Sequence, residues 1–370
     1  MIKKRNAKRG STKATRAPSK PVAKSRALRR KAKQAPQAVV YAPDRERRRQ
    51  GTLSLLDLPL ESSAEGIPSV DVLLLGVPID AAALYRTGAR GGPNAVRQVS
   101  WMGGRFSAAL GVDIYDELRV ADGGNVLIED LGVEAALAMV SERIAQVSRS
   151  GAVPGVVGGD QSTTLAALRG IRAAKKRAVG LIHIDAFHDT LPIDEHGSVH
   201  HKNVIRHAVN EKLIRLDSAM QIGVRGPCDS ASEQAFALGQ GFEIVTMDEV
   251  RWDFHAVVSQ VRKLVSRGSL YVSVDLCALD PSVAPGVSTP APGGMSSWQL
   301  QQILRALVGA DIVGFDVVEL TPAYDTGQLA AGVATITIQE ILSSIADTRR
   351  SARPAPSAPS ERTRRGRRSA

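Results

Sequence analysis

Three segments of this 370-residue chain combine acidic side chains with sharp turns at the ends of apolar runs. In Val156-Val157-Gly158-Gly159-Asp160-Gln161-Ser162 an apolar run breaks at a Gly-Gly turn and enters a helical pattern. In His183-Ile184-Asp185-Ala186-Phe187-His188-Asp189, Asp185 and Asp189 flank a turn after a second apolar run. The third, Ser273-Val274-Asp275-Leu276-Cys277-Ala278-Leu279-Asp280-Pro281, is followed by Ala284-Pro285-Gly286 and Thr289-Pro290, and strand alternation sets Ser273, Asp275 and Cys277 on one face. Carboxylates gathered at one sheet edge repel one another and are costly to desolvate unless a cation or arginine sits among them. A hard divalent ion such as Mn²⁺ or Mg²⁺ meets that requirement with oxygen ligands. The alternative is that these acids only cap helices and brace loops.

The elements that must hold these segments follow from the hydrophobic pattern. Candidate strands are Val72 to Val77, Val153 to Val157, Val179 to Ile184, Ala219 to Val224, Glu243 to Thr246, Leu270 to Val274 and Ile312 to Val318. Helical spacing of apolar residues runs through Val133 to Val147, Ser162 to Ala174, Phe254 to Val265 and Ser297 to Val308. Strands that are apolar throughout and alternate with helices predict a mainly parallel sheet covered on both faces, a three-layer α/β/α domain over residues 51–348. Ligands of such sheets bind beyond the carboxyl ends of the strands, where all three acidic segments fall.

Charge divides the chain differently. The formal net charge is +11, but residues 1–40 hold 14 Lys or Arg and no acid, and residues 349–370 hold eight Arg and one Glu, leaving −10 on the 308 residues between. Residues 1–50 and 349–370 read as disordered basic tails able to attract nucleic acid or another polyanion by charge alone. An Arg- and Ser-rich, acid-free N-terminus is also compatible with an organelle transit peptide. Two cysteines rule out a disulfide framework, and no apolar core follows the basic N-terminus, so a cytoplasmic location is expected. No run approaches the ~20 apolar residues of a membrane-spanning helix, so no span is expected.

The three segments resemble the signatures of the ureohydrolases, the arginase and agmatinase family: Gly-Gly-Asp-His-Ser, Asp-Ala-His-x-Asp and Ser-x-Asp-x-Asp-x-x-Asp-Pro. Further agreement lies in Gly76-Val77-Pro78-Ile79-Asp80, Tyr85-Arg86-Thr87-Gly88-Ala89-Arg90-Gly91-Gly92-Pro93, Gln221-Ile222-Gly223-Val224-Arg225-Gly226 and Asp316-Val317-Val318-Glu319-Leu320. The resemblance spans roughly residues 65 to 345, is nearest to agmatinases, and implies the arginase-like fold, a trimer or hexamer, and hydrolysis of a small guanidino compound to urea and an amine. It also implies two Mn²⁺ ions sharing a hydroxide. The first would be held at Gln161, where the family has His, with Asp185, Asp189 and Asp275. The second would need Phe187, where the family has His, with Asp185, Asp275 and Cys277, where the family has Asp. Glu319 matches the glutamate that receives the guanidinium, His201 a proposed proton shuttle, and Thr289 the substrate loop.

Three of six ligand positions are therefore replaced. A glutamine oxygen can still coordinate a hard cation, whereas a phenyl ring cannot, and Cys277 is a soft ligand. His188, next to Phe187, reads as a solvent-facing loop residue. One divalent ion or none is expected. The open readings are an amidinohydrolase with one metal and an inactive relative that binds a guanidino or polyamine ligand or joins an active paralogue as a regulatory subunit. A third makes the body a scaffold for polyanion-binding tails.

Overall fold

In Leu270-Tyr271-Val272-Ser273-Val274-Asp275 every residue is buried, so both faces of this strand are covered. The same holds for Val72–Gly76, Val179–Ile184 and Ile312–Val318. These segments lie in one eight-stranded parallel sheet of a computed structural model that describes residues 43–63, 66–128 and 132–353. Its strands are β1 (Val72–Gly76), β2 (Val120–Asn125), β3 (Val153–Val157), β4 (Val179–Ile184), β5 (Ile214–Val224), β6 (Glu243–Thr246), β7 (Leu270–Asp275) and β8 (Ile312–Val318). Their spatial order is β2-β1-β3-β8-β7-β4-β5-β6. A two-residue antiparallel ribbon, Phe106–Ser107 with Val112–Asp113, stands apart.

Two apolar cores, one per face, make the three layers. One lies under the helices Gly92–Val99, Phe254–Val265, Ser297–Arg305 and Leu329–Ala352; the other lies under Val133–Arg149, Ser162–Lys175 and Val204–Asn210. The register then sets the acidic segments level. Val157 pairs with Val317, Val317 with Val274 and Val274 with Ile184. The residues that follow these four therefore emerge along one edge.

Four expectations need correction. β2 is an eighth strand, hidden because Val-Ala-Asp-Gly-Gly-Asn reads as a turn. It forms because Asp122 is buried against Arg97, with Arg97 Nε 2.9 Å from Asp122 Oδ2, and because Pro59 O and Glu61 N bond its backbone. Leu329–Ala352 is long and apolar enough to cross a membrane by length and composition. Its most apolar window is 72% buried against the rest of the protein, as befits a core helix.

The tail boundaries also shift. Residues 43–50 carry a short helix, Arg45–Arg49, where Arg48 pairs with Asp57 at 2.9 Å, and the last helix runs to Ala352, with Arg349 on Asp71 and Arg353 on Glu117. Body carboxylates thus draw these arginines into the fold. The rest of the proposed tails, residues 1–42 and 354–370, lies outside the described residues. Finally, His188 is buried, its Nδ1 2.7 Å from Gln221 Oε1, because the turn after β4 folds inward over β5.

Candidate metal and guanidino site

At the end of β3 the chain turns at Gly158-Gly159 because the loop after β1 crosses it closely. A Cβ on Gly159 would fall 1.8 Å from Ile79 O, so only glycine lets the two backbones exchange the bonds Gly159 N–H to Val77 O (2.8 Å) and Asp160 N–H to Ile79 O (2.9 Å). Asp160 then accepts Ser162 N–H and Ala82 N–H, at 3.0 and 2.9 Å. Burial and the nearby Glu319 push its carboxyl up to about 7.

Gln161 follows at the helix N-terminus, fully buried. Its N–H donates to Glu319 Oε1 (2.7 Å), its Nε2 lies 3.0 Å from His183 Nε2 and 3.3 Å from Ser273 Oγ, and its Oε1 has no hydrogen-bond partner.

Pairing of β4 with β7 and β5 sets His183 beside Ser273 and Gln221. His183 Nε2 lies 3.2 Å from Asp185 Oδ2 and 3.6 Å from Asp189 Oδ2. Both of those carboxylate oxygens are buried without a hydrogen-bond donor. Ligand-type atoms of His183, Asp185 and Asp189 all fall within 4.8 Å of one another. Asp189 holds a left-handed backbone, φ 52°, stabilised by Ile205 N–H on its carbonyl at 3.0 Å. Burial, then the charges of Asp185 and Asp275, raise the Asp189 carboxyl well above its ordinary value. Burial, then Asp185 and Glu319, do the same for Asp275.

Of the residues singled out in the sequence, Gln161, Phe187, Asp189, His201, Asp275, Cys277, Thr289 and Glu319 line one small cavity with Lys202 and Ser288. Asp185 adjoins them through His183 and Asp189. His183 itself was not predicted as a ligand; its one signal was its place two residues before Asp185 on the same strand face.

The orphaned buried oxygens of Asp185 and Asp189, which lie with a His183 nitrogen within 4.8 Å of one another, fit one hard divalent cation; Asp275 is close enough to add charge, and the third orphaned oxygen, on Gln161, belongs to a residue lining the same cavity as Asp189. The Phe187 ring, which offers no ligand atom, lines the same cavity and lies on Gly226. Cys277, buried in the turn after β7, keeps its proton because burial, then Asp275, raises its thiol well above the ordinary value.

Glu319 and His201, expected on the substrate side, are engaged inside the fold. Glu319, φ 67°, accepts Gln161 N–H and the Ser288 hydroxyl, and its Oε1 lies 3.3 Å from His201 Nδ1. Burial opposes a charged His201 ring, but the hydrogen bond and charge of Glu319, with Asp160, outweigh it and raise its pKa. His201 Nε2 accepts Leu84 N–H at 3.2 Å, so both ring nitrogens are spent inside the fold, unlike a free proton shuttle. Thr289 Oγ1 is buried without a partner. The remaining cavity measures about 10 Å³, roughly room for one water molecule.

Arg225, at the end of β5, braces the wall behind Cys277. Its guanidinium donates to the carbonyls of Cys277 (2.9 Å), Ala278 (3.1 Å), Leu279 (3.2 Å) and Ala291 (2.6 Å).

Comparison with known proteins agrees with this layout: residues 70–343 match the Arginase family profile. The chain belongs to the arginase family. It is 35% identical over 277 residues to the mitochondrial agmatinase of Gallus gallus, covering 74% of this chain and 80% of that one. It is 35% identical over 284 residues to a guanidinopropionase of Pseudomonas aeruginosa, covering 76% and 88%. The solved proclavaminate amidino hydrolase of Streptomyces clavuligerus superposes with a TM-score of 0.76 at 32% identity, covering 80% of this chain and 98% of that one. This arginase-family chain thus shares its fold and about a third of its residues with guanidino hydrolases.

Proposed function

We propose that this chain binds a small guanidino compound beside a single divalent cation and does not carry out two-metal hydrolysis. The observation that carries this reading is Phe187, whose ring stands where a second ion would need a nitrogen ligand, with a protonated Cys277 as its neighbour. Asp185, Asp189 and Gln161, with Asp275 beside them, would hold the one ion, which would supply positive charge and a coordination position for water or ligand. Glu319 would take the guanidinium, exchanging the Ser288 hydroxyl and widening the cavity as it does so.

Assembly as a homo-oligomer, or with an active paralogue as a regulatory subunit, and residence in the cytoplasm belong to the same proposal. The test is metal content per chain by plasma mass spectrometry after loading with Mn²⁺, Ni²⁺ or Zn²⁺ and dialysis, alongside urea release from agmatine, 4-guanidinobutyrate and 3-guanidinopropionate. One metal and no urea is the expected result. Two metals with rapid urea release would overturn it.

A second reading is slow hydrolysis with one metal, favoured by the retained contact between His201 and Glu319. Urea release that scales with a single bound ion and disappears in Glu319→Gln would establish it instead.

A further inference from the structure

The short turn His201–Asn203, which leads into the helix Val204–Asn210, brings a lysine to the cavity. Lys202 lines it together with Asp189, Asp275 and Glu319. These three carboxylates are buried, and none is paired with a lysine or arginine among the described residues. The Lys202 ammonium is instead held by Asp229, 2.8 Å away on the loop after β5. That pair is open to solvent, the side chains of Lys202 and Asp229 being 28% and 54% exposed.

The backbone of the turn is fixed. Leu191 N–H donates to Lys202 O at 2.9 Å, His201 N–H to Ala82 O at 3.1 Å, and the Asn203 side-chain amide to Ser198 O at 2.9 Å. Only the flexible four-carbon stem of Lys202 is left to swing. An exposed ion pair gains little against salt and side-chain entropy. Buried carboxylates without a cation, by contrast, attract any that can reach them. The ammonium also fits, because the cavity of about 10 Å³ has room for one water molecule and an ammonium group is of similar size.

We propose that Lys202 is an internal gate of this site. Paired with Asp229 it leaves the cavity open; released from Asp229 it sets its ammonium among Asp189, Asp275 and Glu319 and excludes a divalent cation. The proposal rests on the single-ion reading given above. The carboxylates that draw in the ion are the ones that receive the ammonium, so the two cations compete for one void. Asp229 is not part of the cavity lining and favours the ion only by holding Lys202 away. A guanidinium directed at Glu319 meets the same internal competitor.

The experiment is titration calorimetry of the full chain with Mn²⁺ for wild type, Asp229→Asn, Lys202→Met and the double variant, with thermal melting to confirm folding. Salt at about 0.15 M screens the direct field of the exposed Asp229 beyond ~8 Å. Asp229→Asn is expected to weaken Mn²⁺ binding about tenfold, and Lys202→Met to bind at least as tightly as wild type. The double variant should match Lys202→Met within about twofold, since Asp229 has no route to the ion once the lysine is gone. Equal weakening by Asp229→Asn in both backgrounds, the mark of a plain charge effect, or no weakening in either, would overturn the gate and leave the single-ion reading standing. Absence of Mn²⁺ binding in all four proteins would overturn the single-ion reading and the gate with it.

Discussion

The ring of Phe187 lies directly on the backbone of Gly226, so that a Cβ added to Gly226 would fall 2.2 Å from a ring carbon. The ring is therefore seated in the site rather than turned to solvent. The proposal of a single ion rests on this seat, and its removal is the most direct test.

The combined substitution Gln161→His, Phe187→His and Cys277→Asp supplies the three missing ligands on a fold that already orients Asp185, Asp189 and Asp275. Metal content is expected to rise from one to two ions per chain, with urea release from a guanidino compound above the wild-type level. If the triple variant binds no additional Mn²⁺, more than the ligand set has changed.

Mn²⁺ should stabilise the wild type, and increasingly so as pH rises above the ordinary carboxylate range. Asp189 and Asp275 have folded pKa values raised above their unfolded ones, so without a cation their effect on stability worsens as pH rises from the unfolded value to the folded one. A cation competes with those protons, so its affinity increases over the same window. At a hundredfold excess over its dissociation constant the ion adds about 2.7 kcal/mol, or roughly 5 °C in melting temperature. Asp189→Asn should abolish most of that shift in a thermal melt.

Gly159→Ala should destabilise the chain by ~3 kcal/mol or more, because the new methyl meets the Ile79 carbonyl at 1.8 Å and neither backbone has room to yield. Denaturant unfolding measures this. Gly132→Ala, where a Cβ meets nothing within 4 Å, serves as the control and should cost little.

Acid stability should depend on Asp71. Burial opposes its charge, but Arg119 at 2.9 Å and Arg349 at 2.7 Å outweigh it and hold the carboxyl down to about 2. A depressed folded pKa gives stability that is present above about pH 4 and lost as pH falls toward 2. Both arginines are about half exposed, so the contribution is roughly 1 kcal/mol after screening. Asp71→Asn should remove it at pH 7 and leave the two proteins alike near pH 2.

Much of this was legible beforehand because parallel strands covered on both faces announce themselves as unbroken apolar runs. Asp185, Asp189 and Asp275 stood out as candidates because they follow such runs. β2 was not found, since its buried Asp122 takes its meaning only from Arg97, 25 residues earlier. His188 was misread because its partner, Gln221, belongs to another strand. The stacking of Arg86 on Tyr324 joins residues more than 200 positions apart, and no local pattern encodes it.

Arg225 gives the final lesson. One guanidinium gathers the carbonyls of residues 277, 278, 279 and 291, so main-chain groups rather than side-chain ligands fix the shape of that wall. The side chain at position 277 can then be exchanged without withdrawing the contacts that hold the loop. One wall of the cavity thus keeps its shape while the chemistry it presents changes, as a mould keeps its form when a different material is poured.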